Sequence, residues 1–103
     1  MAFSANPVIH PGDSGPAPAK TIPAACEAWF TSTGRVIPKI IKFPDKTGPL
    51  HTLSAFRVCR SENHRYCGIP SSVYYCEAIL EGKSHSFRLF FYPEKCVWKL
   101  IWD

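Results

Sequence analysis

Val73-Tyr-Tyr-Cys-Glu-Ala-Ile-Leu80, Phe87-Arg-Leu-Phe-Phe-Tyr92 and Cys96-Val-Trp-Lys-Leu-Ile-Trp102 are three apolar runs free of Pro, Gly and Ser. Each is rich in aromatic and β-branched residues, the types that fit a pleated, half-buried surface. Between them stand Glu81-Gly-Lys-Ser-His-Ser86 and Pro93-Glu-Lys95, which carry turn chemistry, so the stretch predicts a three-stranded antiparallel meander. Strand alternation puts Tyr75, Glu77 and Ile79 on one face, likewise Arg88, Phe90 and Tyr92, and likewise Lys99, Ile101 and Asp103. Where the hairpin register superposes these faces, Glu77, Arg88 and Lys99 gather on a sheet surface walled by Tyr75 and Tyr92. Such a patch suits a phosphate, with a carboxylate to take a proton and a guanidinium to stabilise charge. The plainer reading is a cross-strand ion pair on a solvent face, contributing about 0.2 to 1 kcal/mol.

Upstream of the meander, Leu50, Thr52, Ser54, Phe56 and Val58 alternate with His51, Leu53, Ala55, Arg57 and Cys59, which predicts one further strand, partly covered on both sides. Residues 60–72 lack apolar alternation and read as a polar loop. Cys26-Glu-Ala-Trp-Phe30 predicts a first strand. After it, Thr31-Ser-Thr-Gly34 offers N-cap chemistry, and Val36, Ile37, Ile40, Ile41 and Phe43 recur at helical spacing. A short helix is expected there, with Pro38 in its first turn, where a missing N–H has no intrahelical partner anyway. Phe43-Pro-Asp-Lys-Thr-Gly-Pro49 ends it. Residues 1–24 hold Pro7, Pro11, Pro16, Pro18 and Pro23 among Ala, Gly and Ser, a composition that buries too little apolar surface to offset its ordering entropy. The expected organisation is a flexible arm over 1–24 and a globular domain over 25–103. The fold class is α+β, one short helix packed on a small antiparallel sheet of four or five strands.

A chain of 103 residues is one small domain whose core needs support. Five cysteines offer it, and none stands in a C-x-x-C pair, which argues against a zinc or thioredoxin-type site. Secretion with one or two disulfides is the expectation. Cys26 with Cys96 closes the longest loop and stabilises by about 4 kcal/mol at best in the chain-entropy picture. Cys59 with Cys67 is the second pairing, and the odd count leaves one thiol over. Met1-Ala-Phe-Ser-Ala-Asn-Pro7 lacks the charged start and apolar stretch of a secretory signal, so a mature form is expected. No apolar run approaches the ~20 residues of a membrane span. Lys plus Arg outnumber Asp plus Glu by 12 to 8 without a run of three, a mild bias towards anionic partners. No Ser/His/Asp order, phosphate-cradling Gly-rich loop or metal-ligand spacing appears, so neither a cofactor nor a metal is expected. His51 is the one histidine on a predicted strand. His10, His64 and His85 fall in the arm and loops.

Tyr74-Tyr-Cys-Glu-Ala-Ile-Leu80, Phe87-Arg-Leu-Phe-Phe-Tyr92 and Val97-Trp-Lys-Leu-Ile-Trp102 together resemble the central sheet of the guanyl-specific secreted fungal ribonucleases. That family has a Tyr-Tyr-Glu-Trp-Pro-Ile-Leu strand, an Arg-Val-Val-Phe strand and a closing strand ending in a catalytic histidine. The resemblance carries the catalytic arginine onto Arg88 and the glutamate base onto Cys76, with Glu77 one place late and therefore on the other face unless a bulge intervenes. It carries the histidine onto Asp103, which is ionised at neutral pH and cannot protonate a leaving oxygen. A retained scaffold with lost chemistry is similar to the ribonuclease-like secreted effectors of powdery mildew fungi, with one helix, a small sheet and a disulfide joining the ends. Their Tyr-x-Cys signature stands near the mature N-terminus, whereas Tyr74-Tyr-Cys76 is internal here.

The resemblance implies a secreted, monomeric fungal effector, a virulence or avirulence protein without catalysis. It would act inside host cells by binding host protein or RNA and be open to recognition by a plant immune receptor. The binding residues expected are Tyr75, Arg88, Phe90, Tyr92 and Lys99, with Arg60, Arg65 and Tyr66 in the loop, since aromatic and arginine side chains anchor interfaces and single-stranded RNA alike. The competing readings are an active endoribonuclease with Glu77 as base, His51 as acid and Arg88 on the phosphate, and a small secreted toxin or inhibitor unrelated to ribonucleases.

Overall fold

The meander residues form β5 (Ile69–Leu80), β6 (Lys83–Tyr92) and β7 (Val97–Trp102), and four more strands complete the sheet. These are β1 (Ile22–Phe30), β2 (Val36–Pro44), β3 (Leu50–Leu53) and β4 (Phe56–Tyr66). The structure is a computed structural model and describes residues 12–103. The spatial order is β3-β2-β1-β7-β6-β5-β4, with every pairing antiparallel. There is no helix among the described residues. The fold is therefore all-β, and the α+β expectation of a helix packed on a ribonuclease-like sheet is overturned.

The predicted helix is β2, and the reason for the misreading is a bulge. Glu27 of β1 faces Ile40, but the next residue, Ala28, faces Pro38, so Lys39 is an extra residue in β2. Val36, Pro38, Ile41 and Phe43 all sit at least half-buried, and the extra residue widens one step of their period-2 spacing from two to three. The result imitates a helical repeat. Pro38 stands beside the bulge, where a strand tolerates a missing N–H.

The predicted strand over residues 50–59 is one extended run that changes edges. β3 and β4 lie at opposite ends of the strand order yet are separated only by Ser54 and Ala55. Three Cα steps span at most about 11 Å, so the sheet has to curl until its two edges nearly meet, giving an open half-barrel. Contacts across the hollow agree with this. The Tyr74 hydroxyl donates to the Val36 carbonyl at 3.0 Å, and Phe43 meets Trp102 edge-on at 5.6 Å between centroids.

The predicted polar loop over 60–72 is mostly strand. β4 runs to Tyr66, then Cys67 and Gly68 turn the chain with φ of 50° and 83°, and Tyr66 pairs with Ile69. Two consecutive positive φ values define the type I′ hairpin, whose twist matches that of the flanking strands. Glu81 and Gly82 repeat the device at 52° and 76° between Leu80 and Lys83.

Part of the predicted arm is also built in. Asp13 accepts hydrogen bonds from the backbone N–H groups of Gly15 (2.7 Å), Cys67 (3.1 Å) and Gly68 (2.7 Å), tying the segment to the β4–β5 turn. Ile22, Pro23 and Ala24 pair with β7. Residues 1–11 of the arm lie outside the described residues.

All five thiols are free, so the disulfide-stapled expectation is also corrected. Cys59 sits at a register shift in β4, and Cys67 in the hairpin turn beyond its end. Eight strand steps of about 3.3 Å separate them by about 26 Å, far beyond the ~7 Å a disulfide spans. Cys26 packs against the inner core, whereas Cys96 is exposed in a left-handed turn with its Sγ towards the Pro93 carbonyl.

The hollow is filled. Tyr74, Cys76 and Ala78 of β5, Phe87, Leu89 and Phe91 of β6, and Trp98 and Leu100 of β7 alternate inward and pack with Ile41 and Leu53. A second, smaller core of Val73, Phe90 and Tyr92 lies on the outer face, edged by Tyr66, Tyr75 and Ile101.

Candidate interaction surface

The outer face of β4–β7 is assembled by alternation and register. Arg60 faces Tyr75, Tyr75 faces Arg88, and Arg88 faces Ile101, which makes one row across four strands. The next row is Glu62, Val73, Phe90 and Lys99. Arg57 faces Glu77 in a third. The bulge at Cys59 keeps Arg57 and Arg60 on this same face although they are three residues apart.

Glu62 is the hub of the polar part. Its carboxylate accepts from Arg60 at 2.6 Å, from the Tyr75 hydroxyl at 2.9 Å and from His64 Nε2 at 3.0 Å, and the Arg60 guanidinium lies 3.7 Å from the Tyr75 ring centroid. The His64 hydrogen bond, followed by that of Tyr75, holds the Glu62 carboxyl below its ordinary range, while the bond to Glu62 pushes the Tyr75 phenol up. His64 also stacks on Tyr66, and Tyr66 meets Phe90 edge-on. The other charges pair locally. Arg57 reaches Glu77 at 3.5 Å, and Arg88 Nε donates to Asp103 at 3.0 Å.

The expected site residues separate into three groups. Glu77 and Arg88 share the outer face, yet they occupy different rows and each has another partner. His51 is elsewhere, on β3 against Asp45 at 2.7 Å, with its ring stacked on Phe43, which belongs to the inner core. The carboxylate, guanidinium and imidazole of the endoribonuclease reading are thus not brought together. Tyr75, Arg60, Tyr66, Arg88 and Lys99 do share the outer face. Phe90 and Tyr92 lie there too but are buried as its core, beneath Arg88 at 5.9 Å and Lys99 at 5.5 Å respectively. Arg65 alternates away from Glu62 and His64 and donates to the Gly68 carbonyl.

Glu62, His64, Arg57 and the Asp103 partner of Arg88 were missed from the sequence. The signal for the first two was present, because Arg60, Glu62, His64 and Tyr66 alternate at period two within a segment that lacks apolar residues to advertise it. Among the described residues no group of three or more His, Cys, Asp or Glu side chains is placed to hold a metal ion. Among the described residues no helix is long and apolar enough to cross a membrane. Comparison with protein-family models, with curated proteins and with solved structures finds no match to this chain.

Proposed function

We propose that this chain is a non-enzymatic binding protein that engages a protein partner through the outer face of β4–β7, in the role of a secreted effector acting on a host. The observation that carries the reading is the Arg60–Tyr75–Arg88 row, in which a half-buried phenol is flanked by two guanidiniums and braced through Glu62. Arginine and tyrosine held rigid before contact lose little entropy on binding, which is the property of interface anchors. A protein partner is favoured over RNA by the charge balance. The four cations Arg57, Arg60, Arg88 and Lys99 share the face with three carboxylates, Glu62, Glu77 and Asp103. A phosphate backbone would have to displace those carboxylates one by one, whereas a protein surface of mixed charge can answer them in place.

The test has two arms. Purified protein incubated with total RNA releases no oligonucleotides, and its weak binding to a labelled single strand vanishes by physiological salt. Crosslinking in plant-cell extract then captures a saturable partner that is lost with the double change Arg60→Glu and Arg88→Glu and kept with Lys39→Glu on the far side of the sheet. RNA cleavage abolished by Arg88→Ala, or capture insensitive to the double change, overturns the proposal.

A further inference from the structure

At one open end of the half-barrel, strands β2, β3, β5, β6 and β7 surround a cavity of about 430 Å³ whose walls are Phe43, His51, Leu53, Leu80, His85 and Trp102. It belongs to the inner face and shares no residue with the surface described above. Pockets of a few hundred Å³ in the mouths of β-barrels, mostly apolar with a few fixed polar groups, are where small ligands bind.

The chemistry of the walls narrows the ligand. Phe43 faces His51 across the β2–β3 ladder, and their rings stack at 5.6 Å and 29°. Phe43 also meets Trp102 edge-on at 5.6 Å, and His85 meets Trp102 edge-on at 6.3 Å. Four ring systems therefore line one opening, and such walls favour a flat aromatic body over a branched or flexible one. Leu53 and Leu80 supply the apolar remainder.

One polar group is held in place. His51 Nε2 lies 2.7 Å from Asp45 Oδ2, and Asp45 Oδ1 accepts from the Thr47 backbone N–H at 2.7 Å and the Thr47 hydroxyl at 2.8 Å. The carboxylate can only accept, so Nε2 donates, and Nδ1 is the acceptor in that tautomer. A ligand N–H is the complement of such an acceptor. A carboxylate or phosphate does not fit, because Asp45 stands at the same rim.

We propose that this mouth binds a small neutral heteroaromatic ring, indole or purine in size, which packs against Phe43 and Trp102 and donates an N–H to His51. The site operates independently of the outer face.

Indole is the probe, titrated into the full chain and followed by amide NMR. Saturable shifts at residues 43, 51, 85 and 102 are expected. Methylation of the indole nitrogen removes the donor, so 1-methylindole binds about fivefold more weakly, the worth of one ordinary hydrogen bond. His51→Ala, at a half-exposed ring, weakens indole about fivefold more than it weakens 1-methylindole. Lys95→Ala, in the exposed turn between β6 and β7, changes neither. Absence of saturable shifts, shifts centred on other residues, or a His51→Ala loss equal for both probes overturns the site.

Discussion

The inner and outer faces of β5–β7 are made by the same strands and the same alternation, yet they are held by different forces. Inside, aromatic and aliphatic side chains from three strands meet residues returning from β1–β3, so that Leu89, Leu100 and Ile41 lose all contact with solvent. Outside, no second layer of strands covers the sheet among the described residues, and the sheet's own long side chains lie over Phe90 and Tyr92. A charged residue on that face therefore has two jobs. Its stem shields apolar surface, and its head remains available to a partner.

Substitution at Phe90 tests this contrast most severely, since it is fully buried on the face that looks polar. Phe90→Ala is expected to lose about 3 to 5 kcal/mol, as a core residue does, read from urea denaturation. A loss below about 0.5 kcal/mol, the range of exposed substitutions, removes the second core.

Cys76 sharpens the inner side. Burial pushes its thiol up to about 12 and that of Cys26 up to about 11, whereas Cys59, Cys67 and Cys96 are exposed. Since the thiolate is the reactive form, Ellman's reagent at pH 8 should find three fast thiols and two slow ones, with five after denaturation. Fewer than five after denaturation would restore a disulfide. Cys76→Ser places a hydroxyl in the apolar core at a cost of about 1 to 3 kcal/mol.

The rim of the hollow responds to acid. Asp45 has its pKa lowered from 3.8 to about 2, first by the His51 hydrogen bond and then by Thr47. A carboxyl whose folded pKa is depressed contributes stability that is complete above its ordinary pKa and lost as pH falls through the lowered one. Between pH 5 and pH 2 the wild-type denaturation midpoint should fall further than that of Asp45→Asn. Parallel curves would mean that the Asp45–His51 contact is not formed in solution.

The smallest effect belongs to the outer charges. Arg57, with its side chain 71 % exposed and 3.5 Å from Glu77, is expected to change stability by less than about 0.5 kcal/mol on replacement by Ala, an effect that salt removes. A larger loss would mean that the outer face is held together by its ion pairs and not by the Phe90 core.

Legibility along the chain followed how local each cause was. The meander was readable because its runs are long, apolar and punctuated by Gly82 and Pro93. Parity within each strand was readable, and the register then brought Tyr75, Arg88 and Lys99 onto one outer face. β2 was misread because one inserted residue, Lys39, shifts its face, and β4 because an edge strand bonded on one side needs no apolar alternation to persist. Phe90 and Tyr92 were expected at a binding surface, since nothing in the sequence says that Arg88 and Lys99 lie over them.

By itself, the order of residues determined which side chains share a face within each of β5, β6 and β7 and that the chain reverses within 81–86 and at 93–95. Both follow from sterics within a few residues: the pleat alternates every side chain, and only certain residues accept positive φ. Tertiary structure alone decided that residues 36–44 extend instead of coiling, that two sheet edges joined by Ser54 and Ala55 curl towards each other, and that His51 ends at the rim of the hollow while Arg88 ends on the outer face. Those outcomes depend on pairings between distant segments, whose energy exists only once the sheet has closed on itself.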